Sequence, residues 1–199
     1  INAELLDSPG IVSLIPESPD EKVAVDSLYS HPKLGVPDLL IVTVDSCQLS
    51  RHLLLPKQLI NSGFNVIVVL TMTDILTKRG QKVAENKLSA ELNCDVVLVN
   101  GRSKYGLENL IKSINSKLER LNEFDKKSIL PYNSAEANNS SIKIFQDIEK
   151  ILENVYEPIT VQDKINLVSA NKELNILQDN ISGERFYSDK ITLSIYRIL

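Results

Sequence analysis

Three short segments constrain this chain more than anything else in it. Residues 38–45, 65–71 and 95–99 are nearly continuous runs of Leu, Ile and Val, with almost no polar interruption. A strand with one wet face alternates apolar and polar residues, so an apolar run this short and this uniform is the pattern of a strand buried on both faces of a parallel sheet. Parallel neighbours need crossover connections, and helical spacing stands between the runs. Leu49, Leu53, Leu55, Leu59 and Ile60 suggest one helix, stopped at Gly63; residues 81–92 suggest another. After the last run, Leu107, Leu110, Ile111, Ile114 and Leu118 fall on one face of a helix that reaches about Arg120. Pro56 lies inside the first of these, so that helix is expected to kink or to start late. The alternation predicts an α/β fold with a doubly wound, mostly parallel sheet.

Upstream, Ala3 to Leu6 read as the end of a further strand. Ser18-Pro19-Asp20-Glu21 is a helix start with Ser18 as N-cap, Pro19 at the first helical position and Glu21 closing a capping box; the helix should run to about Ser30. Residues 121–141 change character, being rich in Asn, Ser and charge and containing Pro131, and read as a partly ordered linker. From Ile142 the spacing is helical again, with a break at Glu157-Pro158, a second helix over about 161–178 and a third running to the end of the chain. The expected organisation is an α/β domain over 1–120, a linker over 121–141 and a small all-helical subdomain over 142–199.

Composition excludes several functions. With 22 basic against 26 acidic residues the net charge is −4, which gives no electrostatic footprint for nucleic acid. Cys47 and Cys94 are far apart and form no C-x-x-C pair, and His31 and His52 are equally isolated, so these four are expected to be structural or surface residues in a reducing compartment rather than ligands. The longest continuous apolar stretch, residues 66–70, is far short of the ~20 residues a membrane helix needs. Ile1 falls inside a strand pattern with neither an initiator Met nor a signal peptide before it, which reads as a fragment of a longer chain.

Open α/β sheets bind ligands at the carboxyl ends of their strands, and three loops there carry candidate chemistry. The first is Asp7-Ser8-Pro9-Gly10: an aspartate at a strand end can hold the water shell of Mg²⁺, and a glycine three residues on leaves its N–H free to meet a phosphate oxygen. The others are Thr71-Met72-Thr73-Asp74 and Asn100-Gly101-Arg102-Ser103. In this order they resemble the third, fourth and fifth motifs of the Ras-like GTPases, most closely those of the ferrous iron transport protein B (FeoB) family. The family pattern D-x-P-G-x-x-S-L with a following acidic pair is carried by Asp7, Pro9, Gly10, Ser13 and Leu14, then Asp20, Glu21 and Ala24. A second block, which generic small GTPases do not share, is carried by Asp38, Leu39, Leu40, Val44, Asp45, Leu49, Arg51, Leu53, Leu55, Gln58 and Leu59. A weaker match, Arg185-Phe186-Tyr187 with Ile191, resembles the basic-aromatic helix that precedes the family's membrane domain.

The resemblance implies a Ras-like P-loop NTPase fold, GTP/GDP and Mg²⁺ as ligands, and nucleotide turnover coupled to Fe²⁺ uptake by a transporter whose cytoplasmic portion this would be. Its partners would then be guanine nucleotide and the transporter's own inner-membrane domain, with oligomerisation possible. It implies that Asp74 accepts the guanine N1 and N2 hydrogen bonds that adenine cannot donate, that the Gly101 N–H meets O6, and that Asp7 holds Mg²⁺ through water. Three departures accompany it. Thr71 stands where the family has Asn, Asn100-Gly101 replaces Ser-Ala, and no G-x-x-x-x-G-K-[ST] phosphate loop occurs in these 199 residues. Ile11 and Val12 follow Gly10 where some GTPases place a water-orienting glutamine, so no catalytic residue is assigned. The resemblance also places the phosphate-loop strand between the strands ending at Asp7 and Asp45. Without it the sheet is incomplete, and either upstream sequence supplies the strand or the fold rearranges to close the gap. Two rivals stand beside this reading: a degenerate, nucleotide-free interaction module built on the same scaffold, and an RNA-acting Era-like GTPase, which the acidic balance disfavours.

Overall fold

The computed structural model describes residues 3–8, 10–121, 129–130, 137–161, 163 and 192–197. Strand β1 is Ala3–Ser8 and helix α1 is Pro19–Ser30. The Ser18 cap is as expected, its hydroxyl accepting the Glu21 N–H at 3.2 Å; the Glu21 carboxylate reaches back to the Glu17 N–H at 2.8 Å, one residue beyond the cap. Strand β2 is Leu39–Asp45, followed by a single 3-10 turn, Ser46–Gln48. Helices α2, Leu49–His52, and α3, Leu54–Asn61, are separated at Leu53. That break answers the Pro56 question. Restarting the helix at Leu54 puts the proline in the first turn, where its missing N–H has no intrahelical partner to lose.

Strand β3 is Val66–Thr71, α4 is Thr73–Lys78, β4 is Gln81–Val83 and α5 is Glu85–Leu92. The helix expected over 81–92 is therefore shorter at its start. Residues Gln81 to Val83 form a strand because β6, Tyr156–Pro158, lies antiparallel against them. Strand β5, Asp95–Leu98, α6, Leu107–Arg120, and α7, Ala137–Val155, complete the order before β6, and Thr192–Arg197 forms β7.

The main sheet has the order β1-β7-β2-β3-β5. Strands β2, β3 and β5 are parallel, whereas β7 is antiparallel to both β1 and β2. The gap expected between β1 and β2 is thus closed by the end of this same chain. A third helix to the terminus is corrected here for residues 192–197, and 142–199 is not all-helical. Thr192, Ile195 and Tyr196 are strand formers, and the slot pairs residues 192–197 with β1 on one side and residues 192–195 with β2 on the other. Residues 1–2, Pro9, the Arg185-Phe186-Tyr187 and Ile191 group and most of the expected helix over 161–178 lie outside the described residues. Its start is visible in one exchange: Thr160 Oγ1 accepts the Asp163 N–H and an Asp163 carboxylate oxygen accepts the Thr160 N–H, a capping box.

Both sheet faces are covered, which is why the three apolar runs do not alternate. Leu40, Val42, Val66, Val68, Leu70 and Val96 face a core shared with α1, α3, α5 and α7. Leu39, Ile41, Ile67, Val69 and Val97 face the other way, against Leu118, Leu110 and Ile114 of α6. Helix α7 contributes Ile144, Ile148, Ile151 and Val155 to the larger core and so packs on the α/β layer. It starts at Ala137, inside the stretch expected to be linker, and Leu130 of that stretch donates its N–H to the Ser62 carbonyl.

Candidate functional site

The chain leaves β3 and β5 at the same end of the sheet, and the Val99 N–H donates to the Leu70 carbonyl at 2.9 Å, tying the two exits together. The segments Thr71-Met72-Thr73-Asp74 and Asn100-Gly101-Arg102 thus follow adjacent parallel strands at the same end of the sheet. Thr71 closes β3 with its hydroxyl donating to the Val44 carbonyl of β2 at 3.2 Å. The Thr71 side chain is therefore turned onto the neighbouring strand.

Met72 then adopts φ 56°, the left-handed region that β-carbon-bearing residues avoid at a cost of about 1–2 kcal/mol. The reversal starts α4 at once, and the Met72 carbonyl accepts the N–H groups of Ile75 and Leu76. Asp74 consequently sits in the first turn of α4, half-buried, rather than on an open loop. Among the described residues no hydrogen bond engages its carboxylate, which leaves both oxygens able to accept. Thr73 lies beside it, its carbonyl accepting from the Thr77 hydroxyl at 2.7 Å.

The third loop is shaped by Asn100, whose Oδ1 accepts the Arg102 N–H at 3.0 Å and the Ser103 N–H at 3.3 Å. That side chain builds the turn. Gly101 has open space where a Cβ would be and no positive φ, so the backbone there does not require glycine. Gly106 is the glycine that is required, and sequence reasoning missed it. It caps α6 at φ 80°, and a Cβ there would collide with the Leu98 carbonyl at the end of β5. A glycine immediately before the first apolar residue of a helical period was the available signal.

Asp7 and Ser8 lie at the end of β1, in register with Leu193 and Thr192 of β7. Asp7 is exposed, and among the described residues no hydrogen bond engages its carboxylate. Gly10 is exposed too, but the chain then turns inward: Ile11 and Leu14 are buried, and the Leu14 N–H donates to Oε1 of Gln58 at 2.8 Å. Gln58 is fully buried on α3, so the loop after Gly10 is pinned to the core by an amide that the sequence reading quoted only as part of a pattern.

Between these loops stands the end of β2. Asp45 caps the 3-10 turn, one carboxylate oxygen accepting the Cys47 N–H at 2.8 Å and the other Nε2 of Gln48 at 3.1 Å. The Asp45 N–H donates to Nδ1 of His52, and the Tyr156 hydroxyl donates to the Ser46 carbonyl. His52 is thus a structural acceptor, and His31 accepts the Leu34 N–H in the same way. Burial, then the Asp45 charge, pushes the Cys47 thiol up, and burial pushes Cys94 up to about 11, so neither is a thiolate near neutrality. Among the described residues no group of three or more His, Cys, Asp or Glu could hold a metal ion. Among them, too, no helix is long and apolar enough to cross a membrane.

Compared with known protein families, residues 1–114 match ferrous iron transport protein B. The chain belongs to the ferrous iron transport protein B family. It is 34% identical over 115 residues to the Fe(2+) transporter FeoB of Legionella pneumophila strain Paris, a stretch that is 56% of this chain and 15% of that protein. The chain therefore spans a small part of the curated relatives it matches. Among solved structures it is similar to the cytosolic domain of L. pneumophila FeoB, with TM-score 0.60 and 26% identity over 75% of this chain and 76% of that one. It is also similar to the FeoB G-domain from Methanococcus jannaschii, with TM-score 0.52 and 32% identity over 56% of this chain and 69% of that one. The α/β fold is thus Ras-like, and the part of the family represented here is its G domain.

Proposed function

We propose that this chain is the guanine-nucleotide-binding region of an FeoB-like ferrous iron transporter, the cytoplasmic portion of an inner-membrane protein in which nucleotide turnover is coupled to Fe²⁺ uptake. The observation that supports the reading is the pair of tied exits from β3 and β5: the loop after one carries Asp74, whose carboxylate no hydrogen bond engages among the described residues, and the loop after the other carries Gly101, with open space at its Cβ position. Asp74 would accept from guanine N1 and N2, two charge-assisted bonds of about 1.5–3 kcal/mol each, and the Gly101 N–H would meet O6. Met72, Thr73 and Arg102 would frame the base. Thr71 would contribute nothing to it, since its hydroxyl is committed to β2. The phosphate end is less complete. The exposed Asp7 carboxylate would suit an outer-sphere position for Mg²⁺, and Ser8, Pro9 and Gly10 follow it in sequence, but the hydroxyl ligand that a phosphate loop brings is not among these residues.

Calorimetric titration of GDP, GTP and ATP with Mg²⁺ tests the proposal, on this chain and on one extended at its N-terminus through a G-x-x-x-x-G-K-[ST] loop. We expect the extended chain alone to bind, with a preference for guanine, and Asp74→Asn to weaken GDP by about tenfold to a hundredfold. A second reading is favoured by the Thr71 commitment and by β7 in the slot between β1 and β2: a nucleotide-free interaction module. Failure of the folded, extended chain to bind any nucleotide would select it.

A further inference from the structure

Asn100 and Gly101 form the only Asn-Gly pair in the sequence, and the fold gives the glycine no conformational reason to be there. Its φ is not positive, and a Cβ would meet nothing within 4 Å. What the glycine changes is chemistry. A backbone nitrogen can attack the side-chain amide of the asparagine before it, and with no Cβ on the attacking residue the approach is open. Three observations favour that attack in this loop. Among the described residues no hydrogen bond engages the Gly101 N–H. Oδ1 of Asn100 accepts the Arg102 N–H at 3.0 Å and the Ser103 N–H at 3.3 Å, so two donors already point at the oxygen on which negative charge gathers when Cγ is attacked. The base of the loop is closed by the Asn100 N–H, which donates to the Tyr105 carbonyl at 3.0 Å and so holds those donors in place.

We propose that Asn100-Gly101 is a self-modifying site, at which the loop converts its own asparagine to aspartate or isoaspartate. The Gly101 nitrogen, its proton lost to solvent, bonds to Cγ of Asn100. The Cγ–Nδ2 bond breaks, and the amide nitrogen takes a proton from solvent and leaves as ammonia. Water then opens the succinimide ring at either carbonyl, and no electrons are gained or lost. Opening to aspartate keeps both turn bonds, since a carboxylate accepts them as an amide oxygen does, and adds a negative charge. Opening to isoaspartate lengthens the backbone ahead of Gly101. The consequence for a ligand rests on the nucleotide-binding reading: the Gly101 nitrogen is the donor assigned to guanine O6, and the modified loop sets a negative charge beside it or displaces it.

The test is to incubate the 199-residue chain at neutral pH in heavy-oxygen water and to follow, by peptide mass spectrometry, the label that ring opening leaves at residue 100, with isoaspartate scored by enzymatic methylation. Residue 100 should be labelled before any other asparagine. The folded chain should convert about tenfold faster than a peptide of residues 97–106, in which the two donors are not held in place. Gly101→Ala, which the open space lets the fold accept, should slow the conversion by at least about tenfold, because its methyl group crowds the attacking nitrogen. Slower conversion in the folded chain than in the peptide would overturn the proposal, as would an undiminished rate in Gly101→Ala. The consequence is tested separately, on the chain extended through a phosphate loop. There GDP at about ten times its Kd should slow the conversion about tenfold, since O6 would occupy the nitrogen that starts it. An unchanged rate with GDP bound would overturn the placing of Gly101 at O6. Conversion as expected with no GDP binding at all would uphold the modification and overturn the nucleotide reading instead.

Discussion

The two halves of the main sheet are built on different principles. Strands β2, β3 and β5 are apolar on both faces, parallel, and buried between α6 on one side and the larger core on the other. Strand β1 is largely exposed, with Leu5 at 59% exposure, and it is held through β7, which pairs with it residue for residue from Ala3 to Ser8. In the first half the side chains decide the position of each strand, since a shift by one residue would turn the residues packed on α6 toward the larger core and those of the larger core toward α6. In the second half the backbone decides, since β1 is held chiefly by the ladder it makes with β7. Specificity for place is therefore concentrated at β2, β3 and β5, and the margin depends on backbone pairing.

The largest test of this contrast is to remove packing from the buried half. Ile67 is fully buried on β3 against α6, so Ile67→Ala should cost about 2–5 kcal/mol, combining lost transfer energy with a cavity that its neighbours cannot fill. Urea unfolding reads this as a lowered midpoint at unchanged slope. A loss below 1 kcal/mol would mean that β3 is no better packed than the margin.

Next in size is the bond that ties the loop after β1 to the larger core. Gln58→Met preserves the length and most of the volume of the side chain but removes the oxygen that accepts the Leu14 N–H, leaving a buried donor without its acceptor. We expect a cost of about 1–3 kcal/mol. Hydrogen exchange should rise at residues 11–14 while the amides of β3 keep their protection. Uniform loss of protection would show that Gln58 supports the whole core rather than the attachment of the loop after Gly10.

A pH experiment addresses the foot of β5, where Cys94 is buried and free. Its folded value, about 11, lies above the ordinary thiol value of 9.0, so between them the unfolded chain gives up the proton more readily than the folded one. The stabilisation is present below pH 9 and is lost as the pH rises through 11, with a slope of at most about 1.4 kcal/mol per pH unit. Cys94→Ala should lower stability overall but flatten that slope. An equally steep slope in the variant would assign it to other groups.

What could be read in advance follows the same division. Strands β2, β3 and β5 were legible because burial on both faces leaves an unbroken apolar run, and α1 was legible because Ser18, Pro19 and Glu21 mark its start. Strand β4 was not, since Gln81-Lys82-Val83 becomes a strand only through Tyr156–Pro158, a partner remote in sequence. Strand β7 was not, since Thr192–Arg197 carries strand propensity but nothing that names its place; the slot does that. At the site, the loops and their common sheet end were legible from motif order. The first-turn position of Asp74 depends on the reversal at Met72, and the need for Gly106 depends on the nearness of the Leu98 carbonyl. Neither is a property of a residue taken alone.

The smallest expected effect is the sharpest check on the margin. If β1 is held by its ladder rather than by its side chains, exchanging an exposed apolar residue for a polar strand former should leave stability almost untouched. Leu5→Thr meets that description: the side chain is mostly in water, the β-branch suits a pleated strand, and the backbone bonds to β7 are unchanged. We expect a change within about 0.5 kcal/mol in either direction by urea unfolding. A loss above about 1.5 kcal/mol would place Leu5 in packing that the exposed strand does not account for, and the distinction between a half fixed by side chains and a half fixed by backbone would fail at β1.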